Sequence, residues 1–462
     1  MASFFKAILL VTLYLLSSGC GGSSQEMTSP KQNPLVGEDS LERDDPVHEG
    51  EEEWQFRELS RFVVDVDGEG RQVVLVEALH ASGSQHYLQF IPASEPNAPF
   101  MVIHEPYSGI DWSGDEIDEL WVGLGPGRYA DRFAPDYNGV DEVPYKLLTV
   151  ESATAAADIW HQHGFSTITA FGRFYQGSNL EGDILDGLAA YYLAAQVAGV
   201  QTPVELYAFG GSWGGMMALF SSHAAPESLK PRAIAAVSPL SHMGAQVDYI
   251  SALFDDNIAA ARTFFSPYLR RIKDAMEADR LPDSYVTLSP TDLCQGLPQS
   301  TLVLHDDIDS IIPVTQSEDL QRACSSRVST MIWHRTTAAD PTRTGMTHGD
   351  FNSVNGTADV RTISTAWLLD AAQVPNRTVP ASRENLQLFF GQLAEARERR
   401  DNIQFASEAL RVLTAPELEL IDDNSSQVIP AIDFITPLIN NSLGSDFTTQ
   451  QVNALLRPKS TP

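Results

Sequence analysis

The fold of this chain is decided by the stretch Leu206-Tyr-Ala-Phe-Gly210-Gly-Ser212-Trp-Gly214-Gly-Met-Met-Ala-Leu219. Residues 203–209 are mostly apolar and predict a buried strand, and the proline-free, apolar residues 213–223 predict a packed helix. A serine at so sharp a turn adopts an uncommon backbone geometry, and side chains at positions 210 and 214 would collide with the neighbouring backbone. The Gly-x-Ser-x-Gly spacing therefore predicts Ser212 as a nucleophile.

A nucleophilic serine needs a base, and the base needs an acid that holds its tautomer. Residues 301–305 predict another buried strand, which runs into a segment that contains Asp306, Asp307 and Asp309. Residues 329–333 form one more short apolar run, and the polar loop that follows contains His348 between glycines. The chain thus supplies a candidate acid and a candidate base in that order.

These segments resemble the α/β-hydrolase superfamily, in which serine, acid and histidine follow in this chain order, each after a strand. The family often shows H-G-x-x-D-x-x-V-P around its acid. Residues 305–313 match that pattern except that Asp306 replaces the glycine and Ile312 replaces the valine. The resemblance implies a mostly parallel central sheet with helices on both faces and a catalytic triad of Ser212, Asp309 and His348.

Alternatives for two triad members stay open at this point. Asp306 and Asp307 lie within one turn of Asp309, and His334 directly follows the predicted strand that precedes His348. We expect His334 to be a strand-end or surface histidine, because catalytic histidines of this family lie in loops such as the one around His348. His305 and the adjacent acids are interpreted as a solvated strand end, without a catalytic role.

The reaction also needs donors for the developing oxyanion, and in this fold the amide after the serine, here that of Trp213, is one of them. Residues 100–104 predict an early strand that leads into Pro106-Tyr107. Proline has no amide hydrogen to donate. The pair resembles the Pro-Tyr of the X-prolyl dipeptidyl peptidase and cocaine esterase branch, which implies the Tyr107 hydroxyl as second donor. An ordinary packed tyrosine is the alternative.

The doubled glycines of residues 210–215 are similar to the elbows of prolyl oligopeptidase-type and proline iminopeptidase-type serine peptidases. Residues 164–177 are similar to the strand and Arg-Gly-rich turn that precede the elbow in those enzymes. The resemblance implies a peptidase acting on short or proline-containing peptides, and a carboxylesterase on the same triad is the alternative. A hydrolase-like surface protein that binds partners without catalysis is the alternative of another class. Four acids are candidates for binding a peptide amino terminus, although such acids are usually only solvated: Glu105, Asp111, Asp115 and Glu116.

The charge of the chain and the motifs that it lacks limit the kinds of partner and cofactor to be expected. The chain carries 30 basic and 61 acidic residues, which gives a formal net charge of -31, so nucleic acid is not an expected partner. We expect no metal or organic cofactor, because HExxH, CxxC and P-loop lysine patterns are absent from the sequence. The predicted partner is a small peptide or ester substrate.

The first 19 residues have the pattern of a signal peptide, with Lys6 before an apolar run from Ala7 to Leu16 and small residues before Cys20. The run is short for a transmembrane helix. Its end resembles a bacterial lipobox, which implies lipid attachment at Cys20 and a place in the cell envelope. Lipoboxes usually have leucine where this chain has Ser17, so ordinary secretion is the alternative.

Apart from Cys20, the chain contains only Cys294 and Cys324, which allow one disulfide around the segment of Asp309. Two unpaired buried thiols are the alternative, because sequence alone does not show their separation.

The remaining length suggests the following organisation. Residues 20–55 form a flexible linker, in which positions 38–53 hold nine acids and one arginine. Residues 56–378 form the catalytic domain, in which residues 57–91 open the sheet with antiparallel strands. Within that domain, residues 105–150 are an insertion and residues 241–290 a helical cap that restricts access to the serine. Residues 379–462 form a helical extension docked on the core.

Overall fold

A large mixed sheet organises the molecule, because the most apolar segments of the sequence pair with one another there. The computed structural model describes residues 54–105, 110–111, 148–172, 180–199, 204–255, 285, 287–306, 309, 311–333, 360–375, 377–383, 386–387, 390, 411–422 and 425–456. Within these ranges, nine strands form the sheet in the order β1-β2-β3-β7-β4-β8-β9-β10-β11. Their bounds are β1 Trp54–Val66, β2 Glu69–His80, β3 Gln85–Ile91, β4 Phe100–Glu105, β7 Ser166–Phe171, β8 Leu206–Gly211, β9 Ala233–Val237, β10 Ser300–Asp306 and β11 Val328–Trp333.

The sheet is parallel over its functional half and antiparallel at its beginning. Strands β7, β4, β8, β9, β10 and β11 are all parallel neighbours. Strands β1 and β2 pair antiparallel, as do β2 and β3 and then β3 and β7. Short strands β5 Ile110–Asp111 and β6 Leu148–Thr149 pair separately. The predicted antiparallel opening of the sheet by residues 57–91 is therefore confirmed.

Helices cover both faces of this sheet, because its central strands are buried on both sides. Their bounds are α1 Val150–His161, α2 Leu180–Ala198, α3 Trp213–Ala224, α4 Met243–Asp255, α5 Pro290–Gly296, α6 Thr315–Ala323 and α7 Val360–Ala371, with a 3-10 turn at Glu227–Leu229. Alternate residues of β9 show the two faces: Ala233 and Ala235 pack in the core with α1 and α7, whereas Ile234 and Ala236 pack in the core with α3. The predicted fold class is confirmed: the strand order, the crossing helices and the strand-to-helix serine turn are those of the α/β-hydrolase fold.

The C-terminal region differs from the helical extension predicted for residues 379–462. It contributes a second sheet of three strands, β12 Arg377–Ala381, β13 Leu418–Asp422 and β14 Val428–Pro430, before helices α8 Ala431–Leu443 and α9 Thr449–Leu456. Strands β12 and β13 bury alternate residues. Leu418, Leu420 and Phe434 share a core with Trp367 of α7, so this sheet docks on the hydrolase core.

The predicted insertion and cap fall largely outside the described residues. Helix α4 begins the cap region, whereas residues 256–284 and most of residues 106–147 lie beyond what the structure describes, so both assignments stay predictions. Among the helices that the structure describes, none combines the length and apolarity needed to cross a membrane.

Candidate active site

Ser212 lies at the junction between β8 and α3, where the chain turns sharply. Its backbone has φ 56° and ψ -124°, a region that residues with a side chain rarely adopt, and its side chain is 4% exposed. A Cβ atom at position 210 would lie 2.3 Å from the Gly214 carbonyl oxygen, so only glycine fits there. The turn therefore has the strained geometry that the sequence predicts for a nucleophile elbow.

The amino terminus of α3 begins directly after Ser212. The first helical residue is Trp213, whose amide lacks an acceptor within the helix because the first four N–H groups of a helix have none. The aligned peptide dipoles also place partial positive charge at this end. An oxyanion formed beside Ser212 would meet an N–H donor and this partial charge.

The Trp213 side chain is fixed by a contact that sequence reasoning missed. Its indole is fully buried, and Nε1 donates a hydrogen bond of 2.8 Å to Oδ2 of Asp183 in the first turn of α2. This bond joins the elbow to a helix 30 residues earlier in the chain. The only local signal was an acid near the start of an apolar helix, which is common and does not indicate a partner.

Neighbouring strand ends bring the predicted acid to the same edge as the serine. The Ser212 amide donates to the Val237 carbonyl at the end of β9 at 2.7 Å, and the Ser238 amide donates to the Leu304 carbonyl near the end of β10 at 2.7 Å. Asp309 follows β10 by three residues. Because parallel strands present their carboxyl ends at one edge, Ser212 and Asp309 both belong to that edge.

Asp309 is buried and held in a fixed orientation. Its Oδ1 accepts hydrogen bonds from the amides of Ile311 at 3.0 Å and Ile312 at 2.9 Å. Two backbone donors on one oxygen orient the carboxylate. A buried, oriented carboxylate is what a triad acid must provide to a histidine.

His305 is buried, and the interpretation of its position as a solvated strand end is wrong. Its Nε2 lies 2.9 Å from the Ile312 carbonyl oxygen and 3.7 Å from Oδ2 of Asp309, and its Nδ1 lies 2.6 Å from Oγ of Ser317. A carbonyl only accepts, so Nε2 carries a hydrogen. His305 therefore positions the loop that holds Asp309, a role that its spacing in the sequence did not reveal.

A buried amide network ties the start of α4 to the same loop. Oε1 of Gln316 accepts from the amides of Ser241 and His242 at 2.9 and 2.8 Å, and Nε2 of Gln246 donates to the Ile311 carbonyl at 2.7 Å. Burial, together with the negative charge of Asp309, raises the pKa of Tyr249 on α4 to about 12. The first turns of α4 thus contact the acid loop with neutral polar groups.

Of the remaining candidate residues from the sequence, the structure describes some and leaves others outside its described ranges. Cys294 and Cys324 form a disulfide with a Cα–Cα distance of 5.5 Å, which joins the end of α5 to the end of α6. Several candidate residues from the sequence lie outside the described residues: Cys20, Tyr107, Asp115, Glu116, Asp307, His334 and His348. Across the described ranges, no three His, Cys, Asp or Glu side chains are arranged to hold a metal ion.

No protein-family model and no curated protein matches this chain. Among solved structures, acetyl xylan esterase 1 from a Thermoanaerobacterium species is 12% identical with a TM-score of 0.35, over 63% of this chain and 83% of its own. Acylaminoacyl peptidase from Pyrococcus horikoshii is 11% identical with a TM-score of 0.35, over 70% of this chain and 42% of its own. Dipeptidyl peptidase 4 from Porphyromonas gingivalis is 12% identical with a TM-score of 0.37, over 65% of this chain and 42% of its own.

The chain spans less than half the length of these two peptidases. At such identities and TM-scores the similarities carry no argument about activity or substrate. The fold assignment rests on strand order and burial, and the candidate site rests on the geometry of Ser212 and Asp309.

Proposed function

We propose that this protein is a serine hydrolase that cleaves amide or ester bonds through an acyl-enzyme on Ser212. His348 takes the serine proton, Asp309 orients the imidazole and stabilises its cation, and the amide of Trp213 and the hydroxyl of Tyr107 bind the oxyanion. The observation that carries the proposal is the backbone of Ser212, held at φ 56° between a strand and a helix amino terminus. Water then attacks the acyl-enzyme and releases the acid.

The substrate is proposed to be a short or proline-containing peptide. The support is the doubled-glycine elbow at residues 210–215 and its likeness to prolyl oligopeptidase-type peptidases. A carboxylesterase would use the same nucleophile, so the rates on prolyl-peptide amides and on p-nitrophenyl esters of similar size separate the two activities. A ratio of kcat/KM that favours the ester by several orders of magnitude, with no measurable amide cleavage, would assign the site to esters.

The first experiment is covalent labelling with a fluorophosphonate probe, which reacts with activated serines, followed by mass spectrometry that locates the adduct. We expect rapid labelling at position 212 and none there in Ser212→Ala. Ser238→Ala is the matched control, because Ser238 is also a buried serine with positive φ, at the end of the adjacent strand. Absence of an adduct at Ser212 in the folded parent protein would refute the hydrolase mechanism and favour the binding protein.

Export and lipid attachment at Cys20 form the localisation part of the proposal. The support is the signal-peptide pattern of residues 1–19 together with the Cys294–Cys324 disulfide, since disulfides persist in oxidising compartments. We expect the membrane-bound protein to begin at a lipid-modified Cys20, and Cys20→Ala to move it to the soluble fraction. A mature terminus elsewhere without lipid would assign it to ordinary secretion.

A further inference from the structure

A second serine, histidine and aspartate are hydrogen-bonded in series at β3, three strands along the sheet from the strand β8 that leads to Ser212. Oγ of Ser84 lies 2.8 Å from Nε2 of His86, and Nδ1 of His86 lies 2.5 Å from Oδ1 of Asp186. Ser84 ends the turn between β2 and β3, His86 is the second residue of β3, and Asp186 lies on α2. We name these three residues the hairpin triad.

The order of atoms in the hairpin triad sets the direction of its hydrogen bonds. An ionised carboxylate only accepts, so the hydrogen between His86 and Asp186 belongs to Nδ1. In the neutral imidazole the other nitrogen, Nε2, then has a lone pair and accepts the hydroxyl hydrogen of Ser84. His86 is thus placed as a base for Ser84, with Asp186 holding its tautomer.

Burial separates the base from the nucleophile. His86 and Asp186 are both fully buried, and the ring of Trp54 lies 5.2 Å from the imidazole of His86, centroid to centroid. Ser84 is partly exposed at the turn. Water is therefore excluded from the His86–Asp186 contact, while Ser84 forms the partly exposed end of the series.

A second serine, Ser82, lies beside that oxygen and serves as an internal reference for its reactivity. Oγ of Ser82 lies 3.1 Å from Oγ of Ser84 and 2.8 Å from Nδ1 of His80. The Ser82 amide also donates to Nδ1 of His80 at 3.3 Å, so that nitrogen is an acceptor, and the Ser82 hydroxyl gives its hydrogen to His80 and not to Ser84. The turn itself is closed by the His80 amide, which donates to the Ser84 carbonyl at 2.9 Å, so the hairpin fixes the nucleophile.

We propose that Ser84 is a second activated serine, a covalent modification site for small activated acyl donors such as aryl esters. The Ser84 oxygen attacks the carbonyl carbon while its proton passes to Nε2 of His86. The new Oγ–C bond forms, the bond to the leaving phenolate breaks, and His86 returns the proton to the phenolate. The reaction needs no other reactant, and its product is an ester of Ser84.

The test uses the full-length Ser212→Ala protein, so that the candidate active site does not consume the reagent. p-Nitrophenyl acetate and a fluorophosphonate are the probes, and fragmentation mass spectrometry assigns each adduct to a residue. We expect an adduct at Ser84, formed at least about tenfold faster than any adduct at the more exposed Ser82. Ser84→Ala in the same background abolishes it, and Ser82→Ala retains it.

Two further variants show whether the base is responsible. His86→Gln and Asp186→Asn, checked for folding by circular dichroism, are each expected to slow acylation of Ser84 at least about tenfold. Equal rates of acylation at Ser82 and Ser84, or no adduct at Ser84 in the folded protein, would overturn the proposal. An acylation rate at Ser84 that neither His86→Gln nor Asp186→Asn changes would also overturn it. Adducts at residues 84 and 212 are mapped separately, so this proposal and the proposed function fail or survive independently.

Discussion

Ser212 and Ser84 differ in what the fold provides to each. At Ser212 the backbone is strained, and a helix begins at the next residue. At Ser84 the side chain contacts a histidine, and that histidine contacts a buried carboxylate. The described residues thus show the backbone and helix setting of one serine and the hydrogen-bonded histidine of the other.

The comparison separates two requirements of a serine enzyme, a base for acylation and oxyanion donors for repeated turnover. A base makes a serine easier to acylate, but repeated turnover also needs donors placed where the oxyanion develops. At Ser212 the proposed donor is the Trp213 amide at a helix terminus, whereas the hairpin around Ser84 is a turn between two strands. We therefore expect catalysis at Ser212 and single covalent modification at Ser84.

The largest expected effect is on steady-state turnover. Ser212→Ala should lower kcat/KM for the best ester or peptide substrate at least about 10³-fold, because removal of a nucleophile removes the acyl-enzyme path. Ser84→Ala should leave kcat/KM within about twofold. The measurement is initial rates at several substrate concentrations for both variants and the parent. A large loss in Ser84→Ala with normal folding would reverse the comparison.

The turns next to Ser212 and Ser84 can be compared by the loss of stability that a glycine-to-alanine substitution causes in each. Gly210→Ala should lower the free energy of unfolding by about 3 kcal/mol, since its Cβ would lie 2.3 Å from a backbone oxygen that has no room to move. Gly83 lies in the turn before Ser84, and an added Cβ there would meet no atom within 4 Å. Its φ of 85° is the only source of strain, so Gly83→Ala should lower the free energy of unfolding by about 1 kcal/mol. Urea unfolding measures both, and equal losses would contradict the steric argument for the elbow.

The elbow could be predicted from sequence because its constraints are local. The glycine spacing around Ser212 follows from backbone clashes within five residues, and the flanking strand and helix follow from apolar periodicity. Asp309 also follows from a short spacing pattern after a buried strand.

The contacts that fix these groups could not be predicted in the same way. His305 looked like a strand end because its partner Ser317 lies on a helix 12 residues later. The His86–Asp186 contact joins residues 100 positions apart, and it depends on how α2 packs on β3. At β13 part of the signal was present, since Leu418 and Leu420 each follow a glutamate, but the prediction of a helical extension for residues 379–462 did not use it.

The buried histidines extend the comparison to pH. His86 has a carboxylate partner, whereas Nδ1 of His104 has no hydrogen-bond partner within the part of the chain that the structure describes, and its Nε2 lies 3.4 Å from the Tyr191 hydroxyl. Burial lowers the pKa of His104 from 6.5 to about 3. Between these values the unfolded chain binds a proton that the folded protein does not, so stability falls as pH drops from 6.5 towards 3.

We therefore expect His104→Leu to flatten the pH dependence of stability in this window. In this window, His104 contributes up to about 1.4 kcal/mol per pH unit to the slope of the free energy of unfolding against pH. Near pH 8 the parent and the variant should show the same slope, because His104 is neutral there in the folded and the unfolded chain. Urea unfolding at half-unit steps of pH gives the two slopes. Identical slopes between pH 6 and pH 4 would show that His104 is protonated in the folded protein.

The smallest expected effect lies on the acid side of the candidate site. Ser317→Ala removes the hydroxyl next to Nδ1 of His305 and leaves that nitrogen unpaired in the core, which should cost about 1 kcal/mol of stability. Because His305 positions the Asp309 loop, kcat/KM should also fall, by about fivefold for the same energy, through kcat rather than KM. Ser222→Ala is the matched control, since it also loses a buried hydroxyl hydrogen bond, to the Gly296 carbonyl, away from that loop. Equal kcat values in the two variants would reduce the His305–Ser317 contact to a packing role and contradict the positioning of the Asp309 loop by His305.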